Sequence, residues 1–227
     1  MHLLGNSRKL LVISTHPDDE TLGMGGTLLK QKREGAELYW MIVTSTHAPN
    51  WDKEVVRCKE AEIEAVAQAY HFLKTYRLGF PAALLNENQR NELISSMRSI
   101  LEEVKPETVF LMFGRDVHTD HQIAFECALA VMKPFRCPDL KKIYCYETLS
   151  STEIAPPLSG NSFMPNAYCD ISKYLEEKIQ IMELYQSEAQ PFPLPRCSES
   201  IRALARFRGG SIGVPYAESF MVLREIL

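Results

Sequence analysis

The sequence predicts an α/β fold: a Rossmann-like, mostly parallel sheet with helices on both faces, in a single domain spanning residues 1–227. Apolar strand-like runs alternate with helix-like segments as far as residue 146, an order typical of parallel sheets. The first and fourth runs are almost purely apolar, as in strands that are covered on both faces. No linker is long or polar enough to divide the 227 residues, of which 45% are hydrophobic. This length is enough for one substantial core.

The first half of the chain gives clear element boundaries. A strand at 10–14 is followed by a helix at 21–33, in which glycines at 23, 25 and 26 would allow close packing and which Gly35 would end. A strand rich in β-branched and aromatic residues follows at 37–44, and then an alanine-rich helix at 53–70. A short strand at 75–78, a helix at 88–104 that Pro106 ends, and an apolar strand at 108–113 complete this half.

The second half alternates less regularly. A helix is predicted at 122–132 and a strand at 143–146, before a loop at 151–166 that is rich in proline and serine. Asp170 is expected to cap a helix at 173–186. Prolines mark a further loop at 191–195, a short helix follows at 198–207, and a last strand is predicted at 219–224.

A first group of chemically active side chains follows the first strand. The apolar run ends at Ser14, and His16, Asp18 and Asp19 come directly after it. Ligands of open α/β sheets bind beyond the carboxyl ends of the strands, so these residues lie where the fold places chemistry. The alternative is that the carboxylates only cap the next helix, a role that needs one of them and does not need His16.

A second group, with His118, Asp120 and His121, follows the fourth strand. The first and fourth strands can be neighbours where the strand order of a doubly wound sheet reverses. His16, Asp19 and His121 would then converge, and two imidazoles with one carboxylate suit Zn²⁺ with a fourth position open. The alternative is that the histidines lie in a loop and that Asp120 caps the following helix.

The remaining polar residues of the two groups fit the roles of a hydrolase. A bound divalent ion would lower the pKa of an attacking water from about 15.7 towards 7. Asp18 would then accept a proton as general base. His118 would donate a hydrogen bond or a proton to the oxygen or leaving nitrogen of the intermediate, and Asp120 would fix the tautomer of His118.

These motifs resemble the LmbE/PIG-L family of zinc-dependent N-acetylglucosaminyl deacetylases. His16-Pro17-Asp18-Asp19 and His118-Thr119-Asp120-His121 match the two signatures of that family. The likeness extends over nearly the whole chain and includes, as supporting matches, Arg57 and Glu60, residues 78–81, Lys178, residues 185–187, Arg208-Gly209, Gly213 and residues 216–220. Ala82 and Glu188 depart from the usual pattern, and the tyrosine that some relatives direct at the oxyanion has no clear counterpart.

The resemblance implies Zn²⁺, or another divalent ion such as Fe²⁺, on His16, Asp19 and His121. It implies hydrolysis of an N-acetyl amide on a glucosamine-type conjugate, with acetate and a free amine as products. Asp18, His118 and Asp120 would be catalytic. Arg57 would contact the aglycone, unless it is a solvated helix residue paired with Glu54 or Glu60, and Asp116 is also assigned to substrate binding.

Composition limits the remaining function classes. A formal charge of −4 and a pI of about 5.9 argue against nucleic-acid binding, and no apolar run is long enough for membrane insertion. Six cysteines without a Cys-x-x-Cys pair indicate reduced thiols and a cytoplasmic location. The expected partner is a small amino-sugar conjugate, and a homo-oligomer is left open. Two alternatives are an amidase acting on a larger amide of a sugar-thiol conjugate and a non-catalytic metal- and sugar-binding protein.

Overall fold

The computed structural model describes residues 8–46, 51–156, 158, 160 and 162–227. Its strands are β1 (Lys9–Ser14), β2 (Glu37–Ser45), β3 (Lys74–Pro81), β4 (Thr108–Met112), β5 (Lys142–Tyr146), β6 (Ala167–Asp170) and β7 (Ala217–Glu225). Its helices are α1 (Asp19–Arg33), α2 (Lys53–Ala69), α3 (Arg90–Val104), α4 (Thr119–Val131), α5 (Leu175–Met182) and α6 (Ser198–Gly210), with one turn of 3₁₀ helix at Glu87–Gln89.

The strands form one seven-stranded sheet in the order β3-β2-β1-β4-β5-β7-β6. The first five strands are parallel to one another, whereas β7 is antiparallel to both β5 and β6. The chain moves outward from β1 to β3 and then returns to β4 on the other side of β1. With right-handed crossovers, this reversal puts α1 and α2 on one face and α3 and α4 on the other. The α/β, mostly parallel, single-domain prediction is confirmed.

The centre of the sheet is buried on both faces. Leu10, Leu11, Val12 and Ile13 of β1 are all 0% exposed, and every residue of β4 is buried. This double burial explains why both strands are continuous apolar runs in the sequence. The carboxyl ends of β1 and β4 therefore lie side by side at the point where the strand order reverses, as the sequence predicts.

The last third of the chain differs most from the prediction. Residues Ala167–Asp170 form the short edge strand β6, which the sequence does not predict. The Asp170 carboxylate accepts hydrogen bonds from Ser172 in a local turn, and α5 begins only at Leu175. Residues 157, 159 and 161 of the predicted 151–166 loop lie outside the described residues. Within the described residues, every helix is too short or too polar to cross a bilayer.

Helix α1 is interrupted in its first half and is held by the C-terminal part of the chain. Met24 has non-helical backbone angles (φ −149°, ψ 20°). Just beyond it, the backbone N–H groups of Gly26 and Thr27 donate to the Glu218 carboxylate of β7 at 2.9 and 2.7 Å. The Lys178 ammonium of α5 donates to Glu218 at 2.7 Å and to the carbonyl of Leu22 at 2.9 Å. This buried ion pair therefore satisfies backbone groups that the interruption leaves without helical partners.

Glu20, in the first turn of α1, fixes the end of β1. Its side chain is 0% exposed and accepts hydrogen bonds from Ser14 Oγ at 3.1 Å and from Tyr185 Oη at 2.7 Å. Burial raises the pKa of Glu20, and the hydrogen bonds from Thr21 and Tyr185 partly oppose that rise. The segment between Ser14 and Glu20, which carries the first group of predicted site residues, is thus anchored at both ends.

Gly23 is required by the packing of α1 on the sheet, so Gly23→Ala is expected to lower the free energy of unfolding by about 1–3 kcal/mol. A Cβ at this position would lie 2.1 Å from the ring of Tyr146, which is fully buried and donates a hydrogen bond to the carbonyl of Ile13. Urea unfolding measures the change. Gly210→Ala is the matched control, because a Cβ there meets nothing within 4 Å and alanine favours the helix. Equal unfolding midpoints for the two variants would contradict this packing.

Candidate metal centre and active site

The loops after β1 and β4 open into one cavity of about 430 Å³. Its floor carries His16, Asp18, Asp19, His118 and His121, so the two sequence motifs do meet in space. The walls come from the end of β2, from Trp51 and the middle of α2, from the turn after β3 and from two later segments of the chain. The wall residues include Thr44, Trp51, Lys59, Glu60, Ile63, Ala82, Ala83, Thr148, Ser151, Glu188 and Arg196.

Two of the three histidines are each held by a buried carboxylate. Asp120 Oδ2 lies 3.1 Å from His16 Nε2, and Asp116 Oδ2 lies 2.6 Å from His121 Nδ1. Asp120 is itself fixed, because it accepts hydrogen bonds from the backbone N–H groups of Ala83 and Leu85. A carboxylate on the outer nitrogen of an imidazole leaves the inner nitrogen to bind a cation, as is usual for histidines that ligate metals.

The inner nitrogens of these histidines converge with the carboxylate of Asp19. His16 Nδ1 and His121 Nε2 are 3.2 Å apart, and Asp19 Oδ2 lies 3.4 Å from His121 Nε2 and 3.9 Å from His16 Nδ1. Tetrahedral zinc with bonds of about 2.0–2.2 Å holds its ligand atoms about 3.3–3.6 Å apart. The three observed distances bracket that range, so the donor set fits a divalent ion of this size.

The electrostatics of this group favour positive charge. Burial alone would lower the pKa of His121, but the charge of Asp19 and the hydrogen bond to Asp116 raise it to about 10. For Asp19, burial acts to raise the pKa, and the charges of His121 and His16 lower it well below its usual range. A site that stabilises a proton on a buried imidazole also stabilises a metal cation in its place.

His118 occupies a different position from the other two histidines. It is the N-cap of α4, and its Nδ1 accepts a hydrogen bond from the backbone N–H of Asp120 at 3.2 Å. Burial, together with the nearby charges of His16 and His121, lowers the pKa of His118 to about 4, so the ring is neutral at pH 7. A neutral imidazole that accepts at Nδ1 carries its proton on Nε2. Nitrogen atoms of all three histidines lie within 4.8 Å of one another.

Asp18 is buried and strained. Its φ of 121° is a conformation that non-glycine residues rarely adopt, and its side chain is 6% exposed. Arg196 Nη1 donates to Asp18 Oδ2 at 2.8 Å. Burial raises the pKa of Asp18 well above its usual range, the charge of Asp19 raises it further, and the charge of Arg196 opposes the rise. Strain of this kind persists only where surrounding contacts impose it, and it is frequent in active sites.

Three predicted site residues have other partners than the sequence indicates. Asp120 directs its carboxylate at His16, whereas its backbone N–H is what contacts His118. Asp116 lies behind His121 and does not line the cavity. Arg57 also lies outside the cavity lining: its side chain is 76% exposed and forms an ion pair with Glu54 at 2.5 Å, which matches the solvated alternative.

Arg196, Lys59 and Glu188 line the cavity without having been singled out as site residues. Arg196 lies in the proline-rich loop before α6, 178 positions from the aspartate that it contacts. Its sequence neighbours form no motif, so only the fold shows the contact. Glu188 differs in the sequence only by its departure from the family pattern, and that departure does not indicate a role.

Comparisons with known proteins agree with the motifs. The family model described as "PIG-L: GlcNAc-PI de-N-acetylase" matches residues 11–132, more than half of the chain. A diacetylchitobiose deacetylase of Thermococcus kodakarensis is 23% identical over 93% of this chain and 81% of its own length. A probable N-acetyl-α-D-glucosaminyl L-malate deacetylase 2 of Bacillus anthracis is 22% identical over 81% of this chain and 82% of its own.

A solved structure supports the fold independently of the motifs. The N,N′-diacetylchitobiose deacetylase of Pyrococcus horikoshii, in complex with an inhibitor, superposes with a TM-score of 0.74. The match has 24% sequence identity and covers 96% of this chain and 85% of that one. At this identity the likeness shows a shared fold.

Proposed function

Because the chain belongs to the PIG-L family of N-acetylglucosaminyl de-N-acetylases, we propose that it is a zinc-dependent enzyme that removes the acetyl group from an N-acetylglucosamine-type conjugate. The chain is a deacetylase, a hydrolase of N-acetyl amides, and the products are acetate and a free amine. One observation carries the proposal: the donor atoms of His16, Asp19 and His121 form a triangle with sides of 3.2, 3.4 and 3.9 Å beside the carboxylate of Asp18.

The triangle of His16, Asp19 and His121 would hold the ion, and His118 would not. The Nδ1 of His118 accepts a hydrogen bond from the backbone N–H of Asp120, so the ring proton lies on Nε2. That nitrogen therefore has no lone pair for a metal. A zinc ion, when bound, acts as a Lewis acid on the amide carbonyl and lowers the pKa of the attacking water. Asp116 and Asp120 would be positioning residues that fix the tautomers of His121 and His16.

Asp18 would act as the general base. Its carboxylate lies in the cavity next to Asp19 and faces the same space as the ligand atoms. The bond from Arg196 fixes which way the carboxylate points, because a guanidinium N–H donates along a defined direction. Asp18 would accept the proton of the attacking water and later deliver it to the leaving nitrogen.

His118 would stabilise the developing oxyanion. Its ring lines the cavity with centroids 4.4 Å from His16 and 4.9 Å from His121, and its Nε2–H is the donor. The capping bond at Nδ1 holds the ring without using that donor. A fixed hydrogen-bond donor in a partly buried site stabilises charge at the carbonyl oxygen without having to reorganise.

The state of the cysteines supports the proposed location. All six cysteines are free thiols in the structure, and four of them are buried. A reducing compartment such as the cytoplasm would maintain them in this state. The cytoplasmic location remains part of the proposal.

The test is an acetate-release assay with N,N′-diacetylchitobiose on protein of measured metal content. We expect the protein to contain about one equivalent of zinc and to release acetate and free amine in equal amounts. Its activity should be lost after chelation and should recover with Zn²⁺. Recovery with Fe²⁺ alone would replace zinc by iron in the proposal. Undiminished turnover by the metal-free protein would overturn the metal assignment, and release of larger acyl groups but not acetate would indicate an amidase instead.

A further inference from the structure

Only two of the lysine and arginine side chains of this protein line the cavity. All lysines and arginines of the sequence fall within the described residues, and among them the lining includes Lys59 of α2 and Arg196 alone. The lining also includes the carboxylates of Asp18, Asp19, Glu60 and Glu188. Asp19 belongs to the proposed metal ligands, and Glu60 pairs with Arg77, which lies outside the cavity lining.

Glu188 binds both cavity cations. Its Oε2 accepts from Arg196 Nη1 at 2.7 Å, and its Oε1 accepts from Lys59 Nζ at 2.5 Å. Arg196 also bonds Asp18 at 2.8 Å, so positive and negative groups alternate along this wall from Asp18 outward. The wall therefore has no net charge, and neither cation is left without a carboxylate partner.

These ion pairs are shielded from solvent. The side chains of Lys59, Glu188 and Arg196 are 17%, 22% and 22% exposed, and that of Asp18 is 6% exposed. Salt and water screen such pairs less than they screen pairs on an open surface. Burial acts to raise the pKa of Glu188, but the hydrogen bond and charge of Lys59, together with Arg196, lower it overall, so this carboxylate is charged at neutral pH.

We propose that Glu188 makes the cavity selective for uncharged N-acetyl sugar conjugates over conjugates that carry a carboxylate or phosphate on the aglycone. This inference rests on the proposed deacetylase function and adds the class of substrate. An acidic aglycone would have to displace Glu188 from Lys59 and Arg196, or lie against it as a like charge in a half-buried site. Like charges placed together in an interface are strongly unfavourable.

Other lining residues suit an uncharged sugar. Trp51 lines the cavity and is 40% exposed, and the buried residue Ile63 also lines it. An aromatic face packs against the C–H face of a sugar ring without requiring charge. Thr44, Thr148 and Ser151 are further lining residues, and they are polar but uncharged.

The test compares two substrates on the metal-loaded protein and on its Glu188→Gln variant. The substrates are N,N′-diacetylchitobiose, which is uncharged, and N-acetylglucosaminyl malate, which is acidic. For the parent we expect kcat/KM to be at least about tenfold higher with the uncharged substrate. Glu188→Gln keeps the size and the acceptor oxygen but frees positive charge, so it should raise the ratio of kcat/KM for the acidic substrate to kcat/KM for the uncharged one about tenfold.

Glu62→Gln is the matched control. Glu62 contacts Ser187, the neighbour of Glu188, but does not line the cavity, so its removal should leave the substrate ratio unchanged. A parent that hydrolyses the acidic conjugate as fast as the uncharged one, or a Glu188→Gln variant with the parental ratio, would overturn the inference while leaving the deacetylase proposal intact.

A binding measurement separates this inference from the function on which it rests. Calorimetric titration of metal-depleted protein with each conjugate involves no turnover. Tighter binding of the uncharged conjugate, with a smaller difference in affinity in Glu188→Gln, would support the selectivity even if neither conjugate released acetate. The failure to release acetate would overturn the proposed function alone. Equal affinities of the parent for both conjugates would overturn the selectivity.

Discussion

Asp18→Asn is expected to lower kcat for acetate release by about 10²–10⁴-fold while the protein keeps its metal. General-base catalysis contributes rate factors of this size, and an amide cannot accept the proton. Asparagine is the appropriate replacement because it tolerates positive φ better than most residues, and its oxygen can still accept the bond from Arg196. The measurements are steady-state kinetics and elemental analysis of the same preparation.

Retention of the metal distinguishes loss of the general base from loss of the metal site. The bond from Arg196 holds Asp18 Oδ2, and the atoms that would contact the ion belong to other residues. Asp139→Asn, at an exposed position outside the cavity lining, is the matched control and should keep the parental rate. Parental activity in Asp18→Asn would exclude Asp18 as the base. Loss of zinc together with activity would instead mean that Asp18 stabilises metal binding.

His121→Ala and His118→Asn are expected to separate ligand from catalyst. Removal of the His121 imidazole should abolish zinc binding and reduce acetate release to the level of the chelated parent, because one corner of the donor triangle is lost. His118→Asn should retain zinc and lower kcat by about 10²–10³-fold, since asparagine can accept the capping bond from Asp120 but lacks the ring Nε2–H.

The two histidine variants also decide between two ligand sets. The nitrogen atoms of His16, His118 and His121 lie close enough together to hold an ion without Asp19. Zinc loss in His118→Asn would favour that set of three histidines and would leave the oxyanion without its proposed donor. The control is His71→Asn, at an exposed position with a φ of 55°, where asparagine is tolerated and where zinc and activity should both stay at parental levels.

The sequence was sufficient to predict the convergence of the two motifs. Each motif follows a strand that is buried on both faces, and in a doubly wound sheet such strands flank the point of reversal. The prediction needed only strand order and the rule that ligands bind at carboxyl ends. The structure brings His16 and His121 to within hydrogen-bonding distance on that basis.

Side-chain pairing within the site could not be predicted in the same way. Asp120 lies two positions after His118, and sequence proximity favoured a bond between their side chains. On α4, however, the Asp120 side chain turns towards the backbone of the turn after β3 and reaches His16. Positions two apart on a helix do not face each other, so the tautomer partner comes from across the fold.

Long-range contacts and short edge strands could not be predicted from the sequence either. Arg196 reaches Asp18 from a loop without regular structure, and no periodicity marks such a contact. Strand β6 has only four residues and pairs with β7 alone, so its pattern is too short to distinguish from a loop.

The bonds from Gly26 and Thr27 to Glu218 join positions 192 and 191 residues apart. During synthesis, the segment with His16 and Asp19 leaves the ribosome long before Glu218 of β7, whose carboxylate completes α1. Until then the N–H groups of Gly26 and Thr27 lack their carboxylate acceptor, and the helix that carries Asp19 lacks this attachment to the sheet. The chain is therefore expected to bind a metal ion at this site only after β7 has left the ribosome and paired with α1.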